Sequence, residues 1–163
     1  MIAPKPAERT KKERIKTVSL KKQCENLWVA CIYLRAGLKS ELSGKDGELN
    51  ARGDRVIGLN AHHIAHKSNH RLRFELNNGI CITQWEHNYG VHGQYAEEYR
   101  TKIIEKIGQE KFDWLQSLKY ENGKSDLNIL KHYLREYLKG IIRFKKDIPE
   151  ELRKVYLKQI GIE

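Results

Sequence analysis

Residues 60–93 read NAHHIAHKSNHRLRFELNNGICITQWEHNYGVHG, and six of the chain's seven histidines lie in them: His62, His63, His66, His70, His87 and His92. His62 and His63 are adjacent, and His87 and His92 come downstream at a helix-like interval. Between the groups stands Asn77-Asn78-Gly79, turn chemistry because Asn and Gly tolerate positive φ. Imidazole is a common ligand for transition metals and the side chain whose ordinary pKa lies nearest neutrality. The pattern suggests one metal ion held by imidazoles, with a spare imidazole beside it to handle a proton. His62, His87 and His92 can supply three nitrogens. His63, next to His62 on an extended backbone, points to the opposite face, so it is expected to face a water rather than share the ion.

Working outward, Arg55-Val56-Ile57-Gly58-Leu59 reads as a short strand leading into the His pair, and Gly79–Thr83 as a second, apolar one. A helix starts near Gln84 or Trp85, carries His87, and continues from Gln94 to Ile107 with Tyr95, Tyr99, Ile103 and Ile107 in a stripe. The expected fold class is α+β and mostly helical, a two-stranded hairpin flanked by N-terminal and C-terminal helices.

His62-His63, then Asn78, then His87 nine residues later resembles the motif of the phage-type HNH, or ββα-metal, endonucleases. The segment YAEEYRTKIIEKIGQEKFDWLQ is similar to the helical stretch after the motif in the NinG (Rap) recombination endonucleases of lambdoid phages. The resemblance runs from about Asn26 to about Leu118. It implies His63 as the general base that activates water, with His62 and His87 as metal ligands. It implies His92 as the third ligand, although relatives use H-x3-H where this chain has H-x4-H with Gly90 inside. Five residues along an ideal helix turn the second ring off the first one's face. A bulge at Gly90, or a helix ending there, would restore it; Asn88 is the alternative ligand. Asn78 matches the central Asn, with the job of bracing the loop.

Many relatives also carry a structural zinc knuckle of two C-x2-C pairs. The matching positions here read Ser40-Glu41-Leu42-Ser43 and Thr83-Gln84-Trp85-Glu86, with no cysteine. Hydroxyls are poor zinc ligands, so no structural zinc is expected. Packing of Trp85 and hydrogen bonds from the hydroxyls are the expected substitute.

The chain has 163 residues and a formal net charge of +10, a balance that favours nucleic acid or an anionic membrane as partner. No long apolar run and no signal-peptide pattern is present, which leads to the expectation of a soluble protein of the cytoplasm, the host's if phage-encoded. Cys24, Cys31 and Cys81 form no C-x2-C and read as buried small side chains. Residues 1–18 read as a basic tail, either solvated or a phosphate-binding arm; 19–120 as the core; 121–163 as a basic helical extension. Cys24, Leu27, Trp28, Cys31, Leu34 and Leu38 mark one face of a helix over 19–36, and Gly37 is its terminator. Asn122-Gly123 is a turn. Leu127, Leu130, Leu134, Tyr137, Ile141 and Phe144 form a heptad-like seam, packed within the chain or on a second copy as a homodimer. A last helix runs from Pro149 to about Gln159. Lys67, Arg71 and Arg73 are candidate phosphate contacts; His66, His70 and His132 are not expected to be ligands.

These readings combine into a metal-dependent DNA endonuclease using one divalent ion (magnesium, manganese, zinc or nickel) and acting on double-stranded or branched DNA in recombination or processing. The alternative is a non-catalytic basic DNA-binding protein with a degenerate HNH fold. With His63 as an unperturbed base, activity is expected to fall below about pH 6.5.

Overall fold

A computed structural model describes residues 11–67, 69–121 and 125–162, with side chains from Leu20 onward. Most of the expected basic tail and the Asn122-Gly123 turn lie outside these residues. Helix α1 (Lys11–Arg35) begins inside the stretch read as tail. Its apolar face is the expected one: Cys24, Leu27, Trp28, Cys31 and Leu34 are all buried. It ends where Gly37 turns left-handed at φ 67°, with the Leu38 amide reaching back to the Tyr33 carbonyl and the Gly37 amide to Leu34. That double reach is a Schellman stop, which glycine adopts without strain.

Two antiparallel hairpins come next. Strands β1 (Glu48–Leu49) and β2 (Val56–Ile57) make the first, and β3 (Leu59–His63) and β4 (Gly79–Thr83) the second. The single strand expected over 55–59 is thus divided. Gly58 at φ 79° breaks it, and the His pair lies inside β3 rather than after a strand. His62 faces Ile80 and His63 faces Gly79 across the ladder. A Cβ on Gly79 would come within 2.8 Å of both Ile32 and Trp28, so glycine there lets the hairpin lie directly on α1.

The loop from β3 to β4 holds the short helix α2 (His70–Phe74), capped by Asn69, whose Oδ1 accepts from the Leu72 amide. After β4 comes a wide helical turn, Glu86–Val91. The helix expected to run on through Gln94 does not continue; α3 (Ala96–Ile107) starts afresh, turns at Gly108 (φ 88°), and leads into α4 (Gln109–Ser117). Tyr99 and Ile103 of the expected stripe are buried, whereas Tyr95 is exposed.

Helices α5 (Leu127–Phe144) and α6 (Glu150–Gln159) close the main core over α1. Leu134, Leu138 and Ile142 are buried against α1, while Phe144, expected in the seam, is 80% exposed. The thiols of Cys24 and Cys31 donate to the α5 carbonyls of Leu127 and Leu134 at 3.5 and 3.6 Å. The product is a mostly helical α+β fold whose small antiparallel hairpin is flanked by helices. No described helix is long and apolar enough to cross a membrane.

Candidate metal centre

Three imidazoles converge. His62 comes from β3, His87 from the wide turn and His92 from its end. Their ring centroids stand 5.4, 5.3 and 4.7 Å apart for His62–His87, His62–His92 and His87–His92. One ring nitrogen from each lies within 4.8 Å of the others. The five-residue gap is accommodated because the turn is π-helical: the His92 amide donates to the His87 carbonyl at 3.2 Å. An i→i+5 bond stacks residues five apart as an α-helix stacks residues four apart. The extra residue is absorbed at buried Gly90, where a Cβ would meet the Tyr99 ring at 2.8 Å.

The donor set suits a divalent transition ion. A tetrahedral ion about 2.1 Å from each nitrogen places its ligands roughly 3.4 Å apart, so small ring rotations close this set. His87 is already oriented. Its Nδ1 lies 3.2 Å from the Asn88 side-chain oxygen, which also accepts from Gln84 Nε2 at 3.0 Å. An amide oxygen only accepts, so Nδ1 carries the proton and Nε2 keeps its lone pair for a metal. Asn88, the alternative ligand, meets His87 through this side-chain oxygen. Burial, and then the neighbouring His87 and His92, push the His62 pKa down to about 3, which keeps this ring uncharged.

His63 stands outside the cluster but in the same cleft, of about 470 Å³. Its ring stacks on Trp28 with centroids 4.1 Å apart and planes 5° from parallel. Its Nε2 lies 2.8 Å from the Arg73 carbonyl. A carbonyl can only accept, so Nε2 holds the proton and Nδ1 is left as the proton acceptor. Burial lowers the His63 pKa to about 4, against the Arg73 carbonyl, which raises it.

Asn78 is fully buried and bonded at both ends of its amide. Its Oδ1 accepts from the Ala65 amide at 2.6 Å, and its Nδ2 donates to the Ala65 and Leu72 carbonyls at 3.0 and 2.9 Å. It ties the loop after His63 to the start of β4. Its place is that of a brace.

Ser40, Ser43, Thr83 and Glu86, the four positions without cysteine, meet around one carboxylate. Glu86 Oε2 accepts from the Ser40 hydroxyl and the Thr83 amide, both at 2.7 Å. The Glu86 amide donates to Thr83 Oγ1 at 3.1 Å, and Ser40 Oγ accepts from the Leu42 and Ser43 amides. Burial pushes the Glu86 carboxyl up, but the bonds from Thr83, Ser40 and Ser43 outweigh it and hold the group below its ordinary range. The hydroxyl part of the expected substitute is present. Trp85 stays out of the core, 54% exposed, with its ring 5.7 Å from that of Tyr89 and 6.4 Å from that of Tyr95. The clamp fixes the residue directly before His87.

The basic candidates are placed differently from one another. Lys67 is exposed and lines the cleft. Arg73 also lines it but pairs with Glu25 at 2.6 Å, and Arg71 pairs with Glu121. His66 lines the cleft without joining the ligand cluster, His70 lies 6.2 Å from Phe74 on α2, and His132 is exposed on α5. Trp28 is the residue whose part in the site the sequence does not reveal. Its helical spacing correctly puts it in the core, yet nothing local shows that its face meets His63.

No family model matches the chain, and no curated protein and no solved structure matches it either.

Proposed function

We propose that the chain is a metal-dependent DNA endonuclease of HNH type. The observation that carries this reading is the division of labour among the imidazoles: three that share an ion-sized space, and one, His63, held in the same cleft with Nδ1 unengaged among the described residues. A purely structural ion needs no such fourth ring. Neutral His63 takes a proton from water as that water attacks phosphorus, the bond from phosphorus to the 3′ oxygen breaks, and that oxygen takes up a proton from solvent. The resemblance gives a 5′ phosphate and a 3′ hydroxyl as products. A divalent ion on His62, His87 and His92 would supply Lewis-acid stabilisation of the charge that develops on the phosphate oxygens. Asn78 holds the His63 loop, Trp28 and the Arg73 carbonyl hold the ring, and Asn88 and Glu86 hold His87. The basic surface, net +10, supports a polyanionic substrate, and the likeness to recombination nucleases supports branched DNA.

The test is nicking of supercoiled plasmid and of a four-way junction with magnesium, manganese, nickel and zinc in turn. Wild type is expected to cleave with at least one ion. His63→Ala is expected to bind that ion and lose at least 100-fold in rate, while His87→Ala loses the ion itself. Metal-independent binding with no cleavage by any ion would favour the non-catalytic DNA-binding protein.

A further inference from the structure

The cleft holding His63 opens on one side of His62. A second groove, of about 370 Å³, opens beside it, and His62 lines both. Helices α3 and α4 build this second groove. Ile103 and Phe112 form apolar parts of its lining, and Arg100, Gln116 and Lys119 supply polar ones, with Glu97 a carboxylate. The Arg100 guanidinium lies 5.4 Å from the Phe112 ring centroid, so a π face steers the cation without neutralising it. Among the described residues no ion pair engages Arg100, Lys119 or Glu97, whereas Arg71 and Arg73 are each bound to a glutamate.

A polyanion gains most from cations that need not break a pair to meet it. We infer that the second groove is a phosphate subsite for the strand being cut. The backbone enters by the first cleft, passes the His cluster at His62, and leaves over α3 and α4. Arg100 and Lys119 there contact phosphates beyond the scissile one, and Gln116 offers a neutral donor. Glu97 works against this and limits the affinity. The inference rests on the nuclease reading for the identity of its ligand and for the path across the His cluster.

The experiment is fluorescence anisotropy of a short fluorescein-labelled DNA duplex, and of one of its strands, titrated with the full chain in chelator so that nothing is cut. Arg100→Glu/Lys119→Glu is expected to weaken binding on the order of 10-fold or more and to lower the slope of log K against log salt by about 2, one unit per lost phosphate contact. Glu97→Gln is expected to tighten binding a few-fold. Lys146→Glu/Lys158→Glu, the same change of charge at two exposed positions outside the groove, is expected to stay near wild type. Nickel binding and thermal stability of the groove variant should be unchanged. Equal weakening by both double variants would overturn the subsite and leave metal-dependent cleavage standing. A wild type that binds through the groove but cuts nothing with any ion would sink the nuclease reading and leave the groove as the phosphate site of a non-catalytic binder. A wild type that binds neither duplex nor single strand would end both.

Discussion

The amide of His92 reaches the carbonyl of His87 at 3.2 Å, closing a turn one residue wider than an α-helical one. That bond brings the two rings to 4.7 Å despite a spacing that an α-helix would splay. It depends on Gly90, because a Cβ there would stand 2.8 Å from the Tyr99 ring. Gly90→Ala is expected to destabilise by about 1–3 kcal/mol through overpacking and to lower nickel affinity. Gly90→Ala/Tyr99→Leu should recover much of that affinity. Calorimetric titration reads both, and an unchanged affinity in the single variant would show that the wide turn does not set the ligand pair.

Glu86 is the hub of the clamp on the same turn. Glu86→Ala leaves the Ser40 hydroxyl and the Thr83 amide without their partner. Two bonds to a charged acceptor put the cost at about 3 kcal/mol, a fall in Tm of roughly 6–12 °C for a chain of this size. The folded pKa of Glu86 is depressed below 4.5, so its contribution is present above that value and lost as pH falls through the folded pKa. The deficit of the variant should therefore be widest near neutrality and narrow in acid. Calorimetry at pH 7 and about pH 3.5 measures the difference, and a constant deficit would count against an ionised Glu86.

His63 is pushed down to about 4 by burial. As a base it stays neutral over the range where an ordinary histidine would take a proton. The expected kcat, at saturating metal, is level from about pH 8 to about pH 5. For stability the sign is the same: His62 and His63 have folded pKa values of about 3 and about 4. The unfolded chain takes up protons near about 6.5, so stability held above that pH is lost as pH falls towards about 4. The metal-free protein should show a declining Tm over that interval. A cleavage rate that halves near about pH 6.5 with metal still bound would place the base elsewhere.

Asn78 makes three buried hydrogen bonds. Asn78→Ala should cost about 3 kcal/mol at roughly one per bond. Asn78→Asp should be no better, because it keeps the acceptor for the Ala65 amide but turns an oxygen towards two carbonyls. Chemical denaturation decides this; a stable Asp variant would mean that the loop is not tied by the amide.

Much of this was legible in the residues. The period of Cys24, Leu27, Trp28, Cys31 and Leu34 marks the buried face of α1, Gly37 and Gly108 mark two helix ends, and the His set marks the cluster. What escaped depends on partners remote in sequence. Arg71 and Arg73 look like free cations until the fold brings up Glu121 and Glu25, 50 and 48 residues away. Glu86 reads only as the last of the four positions without cysteine, since only the folded backbone encloses its carboxylate among hydroxyls. The break at Gly58 hid because a glycine in a strand-like run has the same letter whether its φ is positive or negative. Phe144 continued a heptad-like spacing, whereas the buried stripe of α5 runs through Leu134, Leu138 and Ile142 in steps of four and leaves Phe144 turned to solvent.

The packing of α1 on α5 bears on how the protein comes into being. The thiols of Cys24 and Cys31 meet carbonyls 103 residues further along the chain, so the helix that presents Trp28 to His63 is backed by a segment synthesised well after the histidines. Contacts of such sequence separation slow folding. A chain that has emerged only as far as the histidine turn carries His62, His63, His87 and His92 but lacks α5, the segment that backs the helix bearing Trp28. Loss of α5 is therefore expected to loosen the stack of Trp28 on His63.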